Sequence, residues 1–113
     1  MHEVGIAQNI LEIIENEVKN NSASTVNRVK LIIGEFTGIV KEALEFALDI
    51  IKKNTVAHDA KFEIETIKLK TFCQECDKTF IGQNESYFLC PNCGKTLDIV
   101  EGKEMRIDFI DVE

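Results

Sequence analysis

Four cysteines stand in the order CQEC, thirteen intervening residues, CPNCG, giving Cys73, Cys76, Cys90 and Cys93. Two residues between thiolates let each pair turn tightly and aim two sulfurs at one ion, and the second turn completes a tetrahedron. Saturated thiolate coordination leaves no position for water, so this chemistry is structural rather than catalytic. A segment of about 28 residues, 70 to 97, cannot bury enough apolar surface to fold alone. A metal worth ~10 to 16 kcal/mol at neutral pH would hold it together.

Zinc is the metal this pattern favours. Iron is the better of its rivals, because a four-thiolate tetrahedron binds either ion and CPNCG resembles the second knuckle of rubredoxins. Rubredoxins, however, are aromatic-rich and carry glycine after the first CxxC, whereas Asp77 follows Cys76 here. A redox reading fits less well, since a thioredoxin-like CxxC opens a helix after a strand and comes singly. The segment sets Lys70, Lys78 and Lys95 against Glu75, Asp77 and Glu85, a neutral balance that makes a poor footprint for phosphates.

A second set of donors stands at the start of the chain, MHEVG. The α-amine of Met1, the backbone nitrogen of His2 and the ring Nδ1 of His2 can close a five- and a six-membered chelate around one ion with no folded pocket. Nitrogen-rich, near-planar coordination suits Ni(II) or Cu(II), and Glu3 could add its backbone nitrogen or its carboxylate. A bulky residue at position 2 disfavours removal of the initiator methionine. The plainer reading is a polar histidine on a frayed end, and spacing alone does not decide between the two.

These donors need elements to carry them. Ile6, Ala7, Ile10, Leu11, Ile13, Ile14 and Val18 recur at three- and four-residue steps, predicting an amphipathic helix ended by Asn20, Asn21 and Ser22. Val26 to Ile33 is β-branched, with Val29, Leu31 and Ile33 on one face, and predicts a strand closed by Gly34. A turn, EFTGI, leads to a second helix over Val40 to Ile51. Phe62 to Leu69 alternates with a slip of phase between Ile64 and Ile67, and Met105, Ile107 and Phe109 alternate in a last strand. Two strands joined by a helix should be parallel with a right-handed crossover. The expected architecture is α+β, a small mixed sheet with two helices packed on it and an inserted cysteine module. Residues 1–69 and 98–113 form the α/β domain; residues 70–97 form the insertion.

Composition removes several functions. At 113 residues, 44% apolar and 29% charged, the chain is a small globular domain with room for one appendage. The longest apolar run is Tyr87 to Cys90, so no segment approaches a signal-peptide core or a membrane span, and a cytoplasmic location is expected. A net charge of -7 disfavours broad nucleic-acid binding and suits a cationic partner. With no GxGxxG, no Walker loop and one of two histidines at the terminus, neither a nucleotide site nor a serine triad can be assembled. His58 reads as a surface-loop residue. Glu12, Glu15, Glu42 and Glu45 read as solvated.

MHEVGIAQNILEIIE, VKLIIGEFTGI, EALEFALDIIKKNT, the paired CxxC motifs and the closing GKEMRIDFIDVE together resemble the HypA family, over essentially the whole chain. The resemblance implies a nickel metallochaperone, not an enzyme, with an α/β nickel-binding domain and an inserted zinc-ribbon domain. It implies transient Ni(II) at Met1, His2 and Glu3, and structural Zn(II) at Cys73, Cys76, Cys90 and Cys93. It further implies delivery to a hydrogenase large-subunit precursor during [NiFe] centre maturation, together with a nickel-insertion GTPase. Neither nucleic acid nor membrane is among the implied partners, and homodimerisation is left open. Thr37 stands where the family often has serine, which keeps the hydroxyl. The alternative reading is a zinc-ribbon interaction or regulatory module that transfers no nickel and is indifferent to His2.

Overall fold

The computed structural model describes residues 2–82 and 89–113, with His2 described by its backbone alone. The elements are α1 (His2–Asn20), β1 (Val26–Gly34), a single 3₁₀ turn (Glu35–Thr37), α2 (Lys41–Ile51), β2 (Lys61–Ile67), β3 (Lys70–Cys73), β4 (Lys78–Ile81), β5 (Asp98–Glu101) and β6 (Met105–Val112). They form two three-stranded sheets, ordered β2-β1-β6 and β4-β3-β5. None of the described helices is long and apolar enough to cross a membrane.

Burial explains the helices. On α1 the buried positions are Ala7, Ile10, Ile14 and Val18, a stripe at helical spacing, and on α2 they are Leu44, Ala47 and Leu48. The two helices pack together. Helix α1 starts four residues before the stripe predicts, because its first turn is exposed and contributes no periodicity. It stops where Ser22 adopts a left-handed φ of 52° and Ala23 N–H donates to Val18 O at 3.0 Å, satisfying a terminal carbonyl.

The central strand β1 buries Val29, Leu31 and Ile33, the predicted face. Arg28 meets Glu63 at 2.8 Å and Lys30 meets Glu65 at 3.0 Å. Both partners advance together along the chain, as parallel neighbours do. On the other side, Thr25 and Glu113 exchange backbone hydrogen bonds of 3.1 and 2.9 Å, and Gly34 N–H donates to Glu104 O at 2.6 Å, so β6 runs antiparallel to β1. The sheet is therefore mixed, and the last strand does return to it. One residue departs from the expected alternation: burial along β6 falls on Ile107, Ile110 and Val112, which shifts Phe109 to the outer face, with the Arg28 guanidinium 5.1 Å from its ring centroid.

The expected extended piece over 62–69 is two structures. Strand β2 ends at Ile67, and Leu69 is fully buried, its N–H donating to Glu35 Oε1 at 2.7 Å and its carbonyl accepting from Gly82 N–H at 2.7 Å. A Cβ at Gly34 would lie 2.1 Å from the Gly102 carbonyl oxygen, and Gly102 itself, at φ 109°, passes so close to Leu69 that a Cβ would sit 2.7 Å from its Cα. Side chains are excluded at both positions.

Contacts divide the chain into two compact units. One comprises residues 1–32, 39–65 and 106–113; the other comprises 33–38 and 66–105. In the second unit β3 pairs antiparallel with β4, Cys73 opposite Lys78, and with β5, Phe72 opposite Asp98.

Candidate metal centre

Both cysteine pairs sit on tight turns, the first at the end of β3 and the second closed by an isolated antiparallel bridge between Leu89 and Thr96. Strand β3 delivers Cys73 at its end, and the chain reverses through Cys76 and Asp77, the latter at φ 53°, into β4. The other turn is closed by Gly94 N–H donating to Cys90 O at 2.8 Å and Cys90 N–H donating to Lys95 O at 2.7 Å, with Gly94 at φ 76°. Glycine is favoured there because an L side chain takes that conformation only with strain. In each turn a backbone amide points at the first sulfur: Cys76 N–H on Cys73 Sγ and Asn92 N–H on Cys90 Sγ, both at 3.4 Å. Those amides are placed to stabilise thiolate charge.

The four sulfurs lie within 4.8 Å of one another. Cys73 Sγ is 3.5 Å from Cys93 Sγ, and Cys90 Sγ is 3.9 Å from Cys76 Sγ. Sulfurs at the corners of a tetrahedron with metal–sulfur bonds of about 2.3 Å are about 3.8 Å apart, so the thiols match a single-ion cage. A disulfide, at about 2.05 Å, is excluded. Cys73 and Cys90 are buried, Cys76 is half-buried and Cys93 is exposed.

Electrostatics point the same way. The thiol of Cys93, burial and the thiol of Cys90 push Cys76 up to about 12. The Cys76 backbone N–H pulls Cys73 down, but burial and the sulfurs of Cys93 and Cys90 outweigh it, and the net direction is upward. At Cys90 burial opposes ionisation, yet the backbone N–H groups of Cys93 and Asn92 bring it down to about 7. Four sulfurs this close cannot all carry charge unless a cation sits among them. A divalent ion that accepts thiolate ligands would supply that charge. Beside the cage an open groove is lined by Gln74, Glu75, Lys95, Thr96 and Asp98, and Gln74 Nε2 donates to Asp98 Oδ2 at 2.8 Å.

The other candidate donors are at the start of α1. Met1 and the ring of His2 lie outside the described residues, so the chelate expected there has no described geometry. The His2 backbone and all of Glu3 belong to the first turn of α1. Glu3 Oε2 accepts from Val40 N–H, the N-cap of α2, at 3.2 Å. The charged amino terminus, the Glu3 N–H and the Val40 N–H hold the Glu3 carboxyl down to about 2. The sequence gives no sign of this contact across 37 positions; its only physical hint is that carboxylates favour helix N-termini. His58 is half exposed in the loop after α2, its Nδ1 3.3 Å from Asp59.

Residues 1–112 match the family model described as hydrogenase/urease nickel incorporation, metallochaperone. The chain belongs to the HypA family. Hydrogenase maturation factors HypA of Moorella thermoacetica and Acidithiobacillus ferrooxidans are each 35% identical to it over the whole of both chains. The solution structure of the Ni metallochaperone HypA from Helicobacter pylori superposes with a TM-score of 0.69 at 26% identity, covering 99% of this chain and 97% of that one. A second HypA solution structure gives 0.71 at 27% identity over 100% and 97%. The HypA family is a family of maturation factors, and the α+β fold is shared with its solved members.

Proposed function

We propose that this HypA-family chain binds Ni(II) through the Met1 amine, His2 and Glu3 and hands it to a hydrogenase large-subunit precursor in the cytoplasm, in concert with a nickel-insertion GTPase. In this reading Cys73, Cys76, Cys90 and Cys93 hold a permanent zinc ion in the module spanning 70–97. The α/β domain, 1–69 and 98–113, carries the cargo. The reading is carried by one observation: a full-length match to a nickel-incorporation family in a chain that opens Met1-His2-Glu3.

The chemistry of the two donor sets supports a division between cargo and scaffold. A chelate at a helix's first turn can be released donor by donor, each vacated position being taken by a ligand of the acceptor. A saturated thiolate cage offers no such position. Amine and imidazole protons compete with the metal, whereas carboxylate Glu3 stays ionised throughout the working range.

Transfer kinetics test the reading. Nickel should pass to the GTPase or the hydrogenase precursor faster than it escapes into buffer. Equal rates would reduce the chain to a passive chelator.

A further inference from the structure

The four sulfurs of the cage are not equivalent toward solvent. Cys73 and Cys90 are buried, and each accepts a backbone N–H, from Cys76 and from Asn92, at 3.4 Å. Burial keeps reagents from a sulfur and a hydrogen bond draws charge from it, so both lower its reactivity. Cys76 is half-buried. Cys93 is exposed, and it stands inside a run, Pro91 to Thr96, in which every residue is exposed. A thiolate so placed meets a small oxidant in solution before the other three do.

The way the two turns face each other selects its partner. Cys93 Sγ lies 3.5 Å from Cys73 Sγ on the opposite turn, and Cys90 Sγ lies 3.9 Å from Cys76 Sγ, again across the turns. A disulfide spans about 2.05 Å, so closing the nearer pair takes a shift of roughly 1.5 Å shared between two side chains. Two thiolates consumed from four leave too few ligands for a tetrahedral ion. Oxidation and release of the ion are then one event.

We propose that the cage is also an oxidant-responsive switch, in which Cys93 is the sulfur first oxidised by hydrogen peroxide and Cys73 is the sulfur that resolves it. The proposal rests on the zinc reading of the cage and not on nickel delivery. The Cys93 thiolate attacks one peroxide oxygen, the O–O bond breaks, and the other oxygen leaves as hydroxide, which solvent protonates to water. Cys93 is then a sulfenic acid. The Cys73 thiolate attacks Cys93 Sγ, the S–O bond breaks, and the departing hydroxide becomes a second water. Two thiolates have lost two electrons, one peroxide has gained them, and one disulfide joins the two turns. The unit whose buried cluster is Cys73, Cys90 and Leu97 has lost the ion that supports it.

The test uses the full chain, purified under reducing conditions, freed of reductant and assayed for zinc. Hydrogen peroxide is added in equimolar steps, and released zinc is read with a chromogenic chelator. Trypsin separates the turns, because Lys70, Lys78 and Lys95 leave Cys73 and Cys76 on residues 71–78 and Cys90 and Cys93 on residues 79–95. The first disulfide should join those peptides, through Cys73 and Cys93 on fragmentation, with zinc released in step and about one peroxide consumed per chain. Cys93→His keeps a fourth ligand and should retain zinc while slowing its release at least about tenfold, whereas Cys76→His should release it at close to the unaltered rate. A dithiol reductant with zinc resupplied should restore the original content. Disulfides confined to single peptides, zinc release at the unaltered rate in Cys93→His, or failure of restoration would each overturn the proposal. If the histidine variant does not hold zinc, the peptide map of the unaltered chain decides alone. A chain purified without zinc would overturn the zinc reading itself, a result distinct from a zinc-loaded chain that ignores peroxide, which overturns the switch.

Discussion

The two compact units bury very different material. In the unit that contains α1 and α2, Ile14, Val29, Leu31, Leu44 and Leu48 are almost wholly removed from water and come from two helices and one strand. In the cysteine unit the cluster around the sulfurs consists of Cys73, Cys90 and Leu97, with Cys76 and Phe80 packed against it. Two of the three buried members are metal-liking thiols. An apolar core supports the first unit, whereas the second has too little apolar surface and relies on an ion among its sulfurs. A unit that needs its ion in order to fold cannot give it away without unfolding.

The comparison breaks most visibly at the cage. Cys90→Ala should remove one zinc per chain and, with a structural zinc worth ~10 to 16 kcal/mol, abolish amide protection across β3, β4 and β5 while far-UV circular dichroism keeps the signal of α1 and α2. Retention of tight zinc in that variant, or a red iron chromophore in protein from its native cells, would contradict it. The mirror experiment is Leu44→Ala, which truncates a fully buried side chain of α2. Denaturation should show the helical transition destabilised by about 2 to 5 kcal/mol with zinc content unchanged. Metal loss in Leu44→Ala would mean that the units are not separately supported.

A smaller effect sharpens the picture of the first sheet. Arg28, hydrogen-bonded to Glu63 at 2.8 Å, holds the Glu63 carboxyl below its ordinary range. A depressed carboxylate pKa contributes stability above the unfolded value, about 4.3, and that contribution is lost as pH falls through the folded value. Glu63→Gln should therefore lower Tm slightly at pH 6, with the difference closing below about pH 4. A constant difference across that range would assign the effect to packing.

Legibility followed the length and regularity of each signal. Both helices and β1 were readable because Ala7, Ile10, Ile14 and Val18, then Leu44, Ala47 and Leu48, then Val29, Leu31 and Ile33, repeat a period set by local geometry. The cage was readable because CxxC spacing is itself coordination geometry. Strands of four residues, β3, β4 and β5, are too short to show a period, and β5 lies beyond the segment that composition marks as the insertion. The split at Ile67 and the outward turn of Phe109 depend on partners distant in sequence, Glu35 with Leu69 and Arg28 with the Phe109 ring. The link from Glu3 to Val40 is of the same kind.

Nickel titration of three proteins tests the account most directly: the authentic chain, a chain with a short extension ahead of Met1, and His2→Ala. The α-amine and the imidazole are two arms of one chelate. The extension and the substitution should therefore each abolish specific nickel binding while zinc content and thermal stability stay as they are. In the authentic chain, affinity should fall between roughly pH 8 and 6, because the amine (about 7.7 to 8) and the imidazole (about 6.5) must lose protons to bind metal. Full affinity in the extended chain would exclude the amine as a ligand. Full affinity in His2→Ala would remove the nickel site from the N-terminus and contradict the account.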